Sequence, residues 1–124
     1  MAPVIEAFFD EQLANGTTTI VLYGALWEST CDLAFQIAER RGLRLILGKV
    51  MMDNGTYSDL PADEALEISV EQTERLASKW HGAADGKLQY AVSPRFAVTC
   101  SEEMMKAAAE IAKKHDCFIQ THLS

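Results

Sequence analysis

Asn15-Gly16-Thr17-Thr18-Thr19-Ile20-Val21-Leu22-Tyr23 decides the fold class. Asn15-Gly16 tolerates the left-handed backbone that closes a helix. The run from Thr17 to Tyr23 is β-branched and then almost continuously apolar, the pattern of a strand buried on both faces of a parallel sheet. Upstream, Pro3 to Ala14 predicts a helix. Pro3 suits its first turn, and Val4, Ile5, Phe8, Phe9 and Leu13 recur at helical spacing. Helix, tight turn and buried strand together define an α/β unit.

The unit repeats outward from there. Ser29, with Asp32 placed to reach back, predicts the capped start of a second helix that buries Leu33, Ala34, Ile37 and Ala38 and ends at Arg40-Arg41-Gly42. Arg44 to Met52 is the next strand, interrupted by Gly48, where a bulge or a close backbone approach is expected. The polar run Asp53 to Pro61 is a long connection at that strand's C-terminal side. A third helix begins between Ala62 and Ser69, with Asp63 or a Ser69–Gln72 box as its start, and runs to His81 over Val70, Thr73, Leu76, Ala77 and Trp80. Leu88 to Val92 is the third strand. Thr99 with Glu102 can box a fourth helix over Met104, Ala108, Ile111 and Ala112, closed by Lys113-Lys114. Phe118 to Thr121 is the fourth strand.

Strict alternation implies parallel strands, right-handed crossovers and neighbours in chain order. The expected fold is α/β: half of a (β/α)8 barrel, with four parallel strands alternating with four helices in one domain over residues 1–124. The chain opens on a helix without a strand before it and ends on a strand without a helix after it. No glycine-rich phosphate loop follows the first strand, as a nucleotide-binding sheet would usually have. Open first and last strands would leave apolar edges, so self-association is expected.

A length of 124 residues, 48% hydrophobic and 23% charged, suits one globular domain rather than a disordered chain. A net charge of -7 disfavours nucleic acid and anionic membranes as partners, because both need a basic face. The N-terminus meets charge too early for a signal peptide, and no apolar run nears the roughly 20 residues that span a bilayer. Cys31, Cys100 and Cys117 are odd in number and irregularly spaced, which predicts free thiols and a cytoplasmic protein.

The chemistry concentrates in Cys117-Phe118-Ile119-Gln120-Thr121-His122-Leu123-Ser124, where polar residues follow a strand. Parallel sheets collect ligands and catalytic groups at that end, so His122 is a candidate metal ligand or proton-transfer group. No zinc-finger or His-Glu-x-x-His spacing accompanies it. His81 and His115 close helices, where a cation complements the dipole. Lys49 reads as structural, and Asp53 and Asp59 as loop residues without companion ligands. Cys100, near a helix start, could have a lowered thiol pKa but lacks a paired base. Taken alone, Arg95 reads as a surface ion-pair residue and Phe96 as core.

Asn15-Gly16-Thr17-Thr18-Thr19, Gly48-Lys49-Val50-Met51-Met52-Asp53, Ser93-Pro94-Arg95-Phe96, Thr99-Cys100-Ser101-Glu102 and Gln120-Thr121-His122-Leu123-Ser124 occur in this order. Together they resemble the guanine deaminase branch of the metal-dependent amidohydrolase superfamily, over nearly the whole chain and in its central part, family strands two to five. The resemblance implies a zinc-bound (β/α)8 barrel in which metal-activated hydroxide converts guanine and water to xanthine and ammonia. It implies that His122 binds the metal and lies at the substrate, and that Arg95 and Phe96 contact the purine. The family's first-strand His-x-His pair, its later metal-binding His and Asp, and its acidic proton shuttle, which would follow Ser124, have no counterpart here. The chain by itself is therefore expected to be inactive and to hold zinc poorly. The competing readings are an amidohydrolase of another aminated ring, of triazine or adenosine type, and a non-catalytic α/β interaction module.

Overall fold

The computed structural model describes residues 1–55 and 59–123. Its elements are α1 (Ala2–Ala14), β1 (Thr19–Tyr23), α2 (Glu28–Arg41), β2 (Arg44–Gly48), β3 (Val50–Met51), α3 (Ala62–Trp80), β4 (Leu88–Pro94), α4 (Phe96–Thr99), α5 (Glu102–His115) and β5 (Phe118–Ile119). Every strand pairing is parallel. β1 lies beside β2, the start of β4 pairs with β2 and its end with β3, and β5 lies on the far side of β4. Since β2 and β3 are two halves of one path, spatial order follows chain order, as the alternation predicts.

The long helices form one layer, α1 against α2, α2 against α3 and α3 against α5. Connections that all advance one way along a parallel sheet with one hand must land on the same face. The core lies between this layer and the sheet. Phe35 stacks on Trp80 with centroids 5.3 Å apart and faces Tyr90 at 6.3 Å, while Leu45, Leu88, Leu76 and Met104 are fully buried around them. Each such side chain contributes about 1.5–3 kcal/mol through burial.

The opposite face is covered at its centre, where Ala91 and Ser93 are buried, and exposed at the outer strands. Val21 is 61% exposed and Phe118 63% exposed. This corrects the expectation that β1 is buried on both faces: only Ile20, on the helix side, is buried, because no described residue covers the other side. Within the helical layer only Phe9 of α1 is fully buried, while Val4, Phe8 and Leu13 stay exposed.

Local capping departs from expectation in several places. α2 begins at Glu28 behind Trp27 without a side-chain cap. Asp32 instead accepts from Gln36, Lys79 and Trp80, tying α2 to α3. α3 starts at Ala62 behind Pro61, and Ser69 is buried within it, donating to the Met52 carbonyl. Ser101, not Thr99, caps α5 by accepting from the Met104 amide. Thr99 belongs to α4, a single turn that periodicity is too short to reveal. Part of the expected Asp53–Pro61 connection, residues 56–58, lies outside the described residues, as does Ser124.

The second strand is broken at Lys49, which is fully buried. Its amide donates to the Tyr90 hydroxyl at 3.0 Å and its Nζ to the Val50 carbonyl at 2.9 Å. Burial lowers its pKa from 10.5 to about 8, against the opposing influence of Cys31 and Glu28. Between those values the unfolded chain carries a proton that the folded chain lacks, so this residue's contribution to stability rises with pH across that window. Urea unfolding of wild type and Lys49→Met at steps from pH 7 to pH 10 tests this. The difference should move in favour of wild type as pH rises, and a pH-independent difference would refute it.

Candidate active site

The C-terminal end of the sheet is assembled around a missing side chain. A Cβ on Gly48 would sit 1.6 Å from the Ala91 carbonyl oxygen and 2.3 Å from Ser93 Oγ, so β4 occupies space that any other residue would fill. The close approach expected at Gly48 is what the structure contains. Gly24 repeats the device on the next strand, where a Cβ would lie 2.3 Å from the Gly48 carbonyl oxygen.

Across this gap the strands are laced by polar side chains. Tyr23 pairs in register with Gly48, and its hydroxyl donates to the Pro94 carbonyl at 2.8 Å and to the Ser93 carbonyl at 3.2 Å. Burial pushes the Tyr23 phenol up to about 12, which keeps it a proton donor at neutral pH. Gln120, just beyond β5, donates through Nε2 to the Leu22 carbonyl and to Ser93 Oγ, both at 2.9 Å. Ser93 in turn donates to the Ala91 carbonyl at 2.8 Å.

β4 ends in a turn that presents Arg95 and Phe96. Phe96 has φ of 55°, a left-handed backbone that costs a bulky residue about 1–2 kcal/mol and must be held by its surroundings. The Arg95 amide donates to the Met51 carbonyl at 2.9 Å, and the Thr99 hydroxyl donates to the Arg95 carbonyl. From outside, the buried carboxylate of Asp53 accepts from the Ser101 amide at 2.8 Å and from the Ser101 hydroxyl. The Asp53 and Asn54 amides both donate to the Thr99 carbonyl at 3.1 Å. The loop after β3 thus clamps the turn after β4.

Arg95 is exposed, and its guanidinium lies 5.7 Å from the Phe96 ring centre, with Nη1 3.7 Å from Met52 Sδ. No carboxylate among the described residues pairs with it, and Phe96 is only half-buried, so neither side chain has the structural role it would have if taken alone. The His122 ring sits 5.1 Å from Phe96 and 4.2 Å from Tyr23, between the two aromatic side chains. Three residues from two segments therefore converge at one end of the sheet: an unpaired planar cation, an aromatic face and an exposed imidazole.

The remaining candidates lie elsewhere. His81 Nδ1 accepts from the Tyr90 amide at 3.1 Å, and His115 pairs with Glu74 at 2.8 Å, so both histidines are tertiary struts rather than simple helix-end charges. The Cys100 thiol is raised by burial rather than lowered, with Sγ directed at the Met51 and Arg95 carbonyls. Asp53 has the structural partners that a loop reading could not foresee. Gln120 belongs to the stretch in which the chemistry concentrates, without a role of its own, and Tyr23 reads only as the end of an apolar strand. The one signal was chemical, a hydroxyl and an amide at strand ends where aliphatic residues would have sufficed.

Among the described residues no three metal-ligating side chains converge. His122 could serve as one ligand of a centre that needs further ligands from elsewhere.

A parallel sheet with a one-sided helical layer and its polar groups gathered at the strand C-termini is the architecture of part of an α/β barrel. The chain belongs to the amidohydrolase family, whose profile matches residues 2–124. The guanine deaminase of Escherichia coli (strain K12) is 40% identical over 121 residues, covering 96% of this chain and 27% of that protein. The chain thus spans about a quarter of the length of the curated relatives it matches. The solved E. coli guanine deaminase superposes with a TM-score of 0.83 at 37% identity, over 98% of this chain and 28% of that one. The fold is also that of guanine deaminase from C. acetobutylicum with bound guanine in its active site, with a TM-score of 0.86 at 24% identity over 100% of this chain and 30% of that one. Membership of the family implies a metal cofactor.

Proposed function

We propose that this chain is the part of a guanine deaminase that corresponds to family strands two to five, and that it supplies the purine-facing wall of the site. The observation that carries this reading is the convergence of Arg95, Phe96 and His122 at one strand end, with Arg95 unpaired by any carboxylate among the described residues. A guanidinium offers a planar fork of donors suited to the carbonyl and ring nitrogen of a purine, and Phe96 offers a ring face on which the purine can stack. His122 lies beside both, where an imidazole can serve as one ligand of a metal and touch the bound ring.

In the complete barrel His122 would be one ligand of a zinc ion, which would make hydroxide available at neutral pH. The net reaction hydrolyses the exocyclic amino group of guanine, with water entering and ammonia leaving to give xanthine. The residues of this chain bind and orient the ring. The proposed compartment is the cytoplasm, supported by Cys31, Cys100 and Cys117 all being free thiols. No helix among the described residues is long and apolar enough to cross a membrane.

The test compares a full-length protein containing this segment with the 124-residue chain alone. The full-length protein should turn over guanine in preference to aminated triazines and adenosine-type rings. The chain alone should show no turnover, retain little zinc, and self-associate through its open edge strands β1 and β5, where Val21 and Phe118 are exposed. Preference for another ring would replace guanine as substrate. A monomeric chain that holds one zinc and deaminates guanine would overturn the partial-barrel reading.

A further inference from the structure

Tyr23 lies on β1, two strands away from the turn that carries Arg95, yet it touches both halves of the site. With Gly48 beside it in register there is no side chain in the way, so the phenol crosses β2 and donates to the carbonyl of Pro94, the residue directly before Arg95. The same ring lies 4.2 Å from His122 at an interplanar angle of 32°. On its far side His122 meets Phe96, and Phe96 meets the Arg95 guanidinium. One residue therefore sets the peptide that aims Arg95 and the plane of the His122 ring, although these arrive on different strands. The Asp53 clamp holds the turn from outside, where it meets no ring of the site.

We propose that Tyr23 is a positioning residue of the active site: its hydroxyl fixes the Pro94–Arg95 peptide from which the Arg95 side chain reaches the purine, and its ring fixes the orientation of His122. This inference rests on the guanine deaminase reading. It goes beyond that reading in assigning a role to a residue on the first strand, one that acts through Arg95 and His122.

The two functions of the side chain separate in two variants of the full-length protein. Tyr23→Phe keeps the ring and loses one hydrogen bond, so KM for guanine should rise about tenfold while kcat stays within a few-fold. The affinity for the product xanthine, measured by calorimetry, should fall by the same factor. Tyr23→Leu also loses the ring, and kcat should fall in addition to the rise in KM. A merely structural role would instead lower the unfolding temperature of both variants and leave KM unchanged.

Histidine-selective NMR supplies a readout independent of turnover. The His122 ring protons, shielded by the Tyr23 ring, should move downfield in Tyr23→Leu and hold their position in Tyr23→Phe. If wild type prefers another aminated ring, the guanine reading fails, and the same KM split on that ring decides the role of Tyr23. Unchanged KM in Tyr23→Phe, or an unchanged His122 spectrum in Tyr23→Leu, overturns the inference.

Discussion

His122→Ala in the full-length protein should abolish guanine turnover and metal retention together, whereas Arg95→Ala should keep the metal and lose about 10- to 100-fold in kcat/KM. The two side chains are close neighbours of the same Phe96 ring, so proximity alone would not separate them. Their chemistry does. An imidazole is a metal ligand, and removing one ligand from a centre that normally has three leaves the ion weakly held and badly placed. A guanidinium has no acceptor and cannot ligate a cation, but its charge-assisted hydrogen bonds to a substrate contribute about 1.5–3 kcal/mol, the source of the expected factor. Metal analysis beside steady-state kinetics on the two variants gives the answer. Metal retained in full by His122→Ala would remove it from the ligand set, and unchanged kinetics in Arg95→Ala would return Arg95 to the surface.

Gly48→Ala should be the most damaging single substitution for the fold. The added methyl would overlap the Ala91 carbonyl at 1.6 Å, and the obstacle is backbone, so no side chain can swing away to relieve it. Either β4 moves off β2 or the two strands separate near their C-terminal ends. Both movements break the Tyr23–Pro94 hydrogen bond and unseat the turn that carries Arg95. Overpacking usually costs about 1–3 kcal/mol, and a clash of this depth against main chain belongs at or beyond the upper end. The soluble yield and unfolding temperature of Gly48→Ala measure it, with Gly42→Ala as a comparison, because a Cβ there meets nothing within 4 Å and strain comes only from its φ of 70°. A Gly48→Ala protein that unfolds at the wild-type temperature would mean that β2 and β4 lie further apart than described.

The alternation of helical and strand periodicity by itself determined the parallel sheet, its strand order and its single helical layer, because connections of one hand leave few alternatives. It also placed His122 beyond the C-terminal end of the last strand. The buried faces of α2, α3 and α5 were legible for the same reason: Ala34, Ile37 and Ala38 in α2, Thr73, Leu76, Ala77 and Trp80 in α3, and Ala108, Ile111 and Ala112 in α5 recur at spacings that a helix brings to one side. What periodicity could not convey was anything that depends on partners distant in sequence. Val21 has the composition of a buried strand residue and is exposed, because burial depends on what lies above a face and not on what the face contains. Lys49 reads as structural, but its burial where the strand breaks to meet the Tyr90 hydroxyl was not legible. Asp53 and Ser101 are 48 residues apart, and only the fold makes them a cap and clamp for the Arg95 turn. Tyr23 and His122 stand at opposite ends of the sequence order, and β4, admitted by the bare backbone of Gly48, brings them to one site.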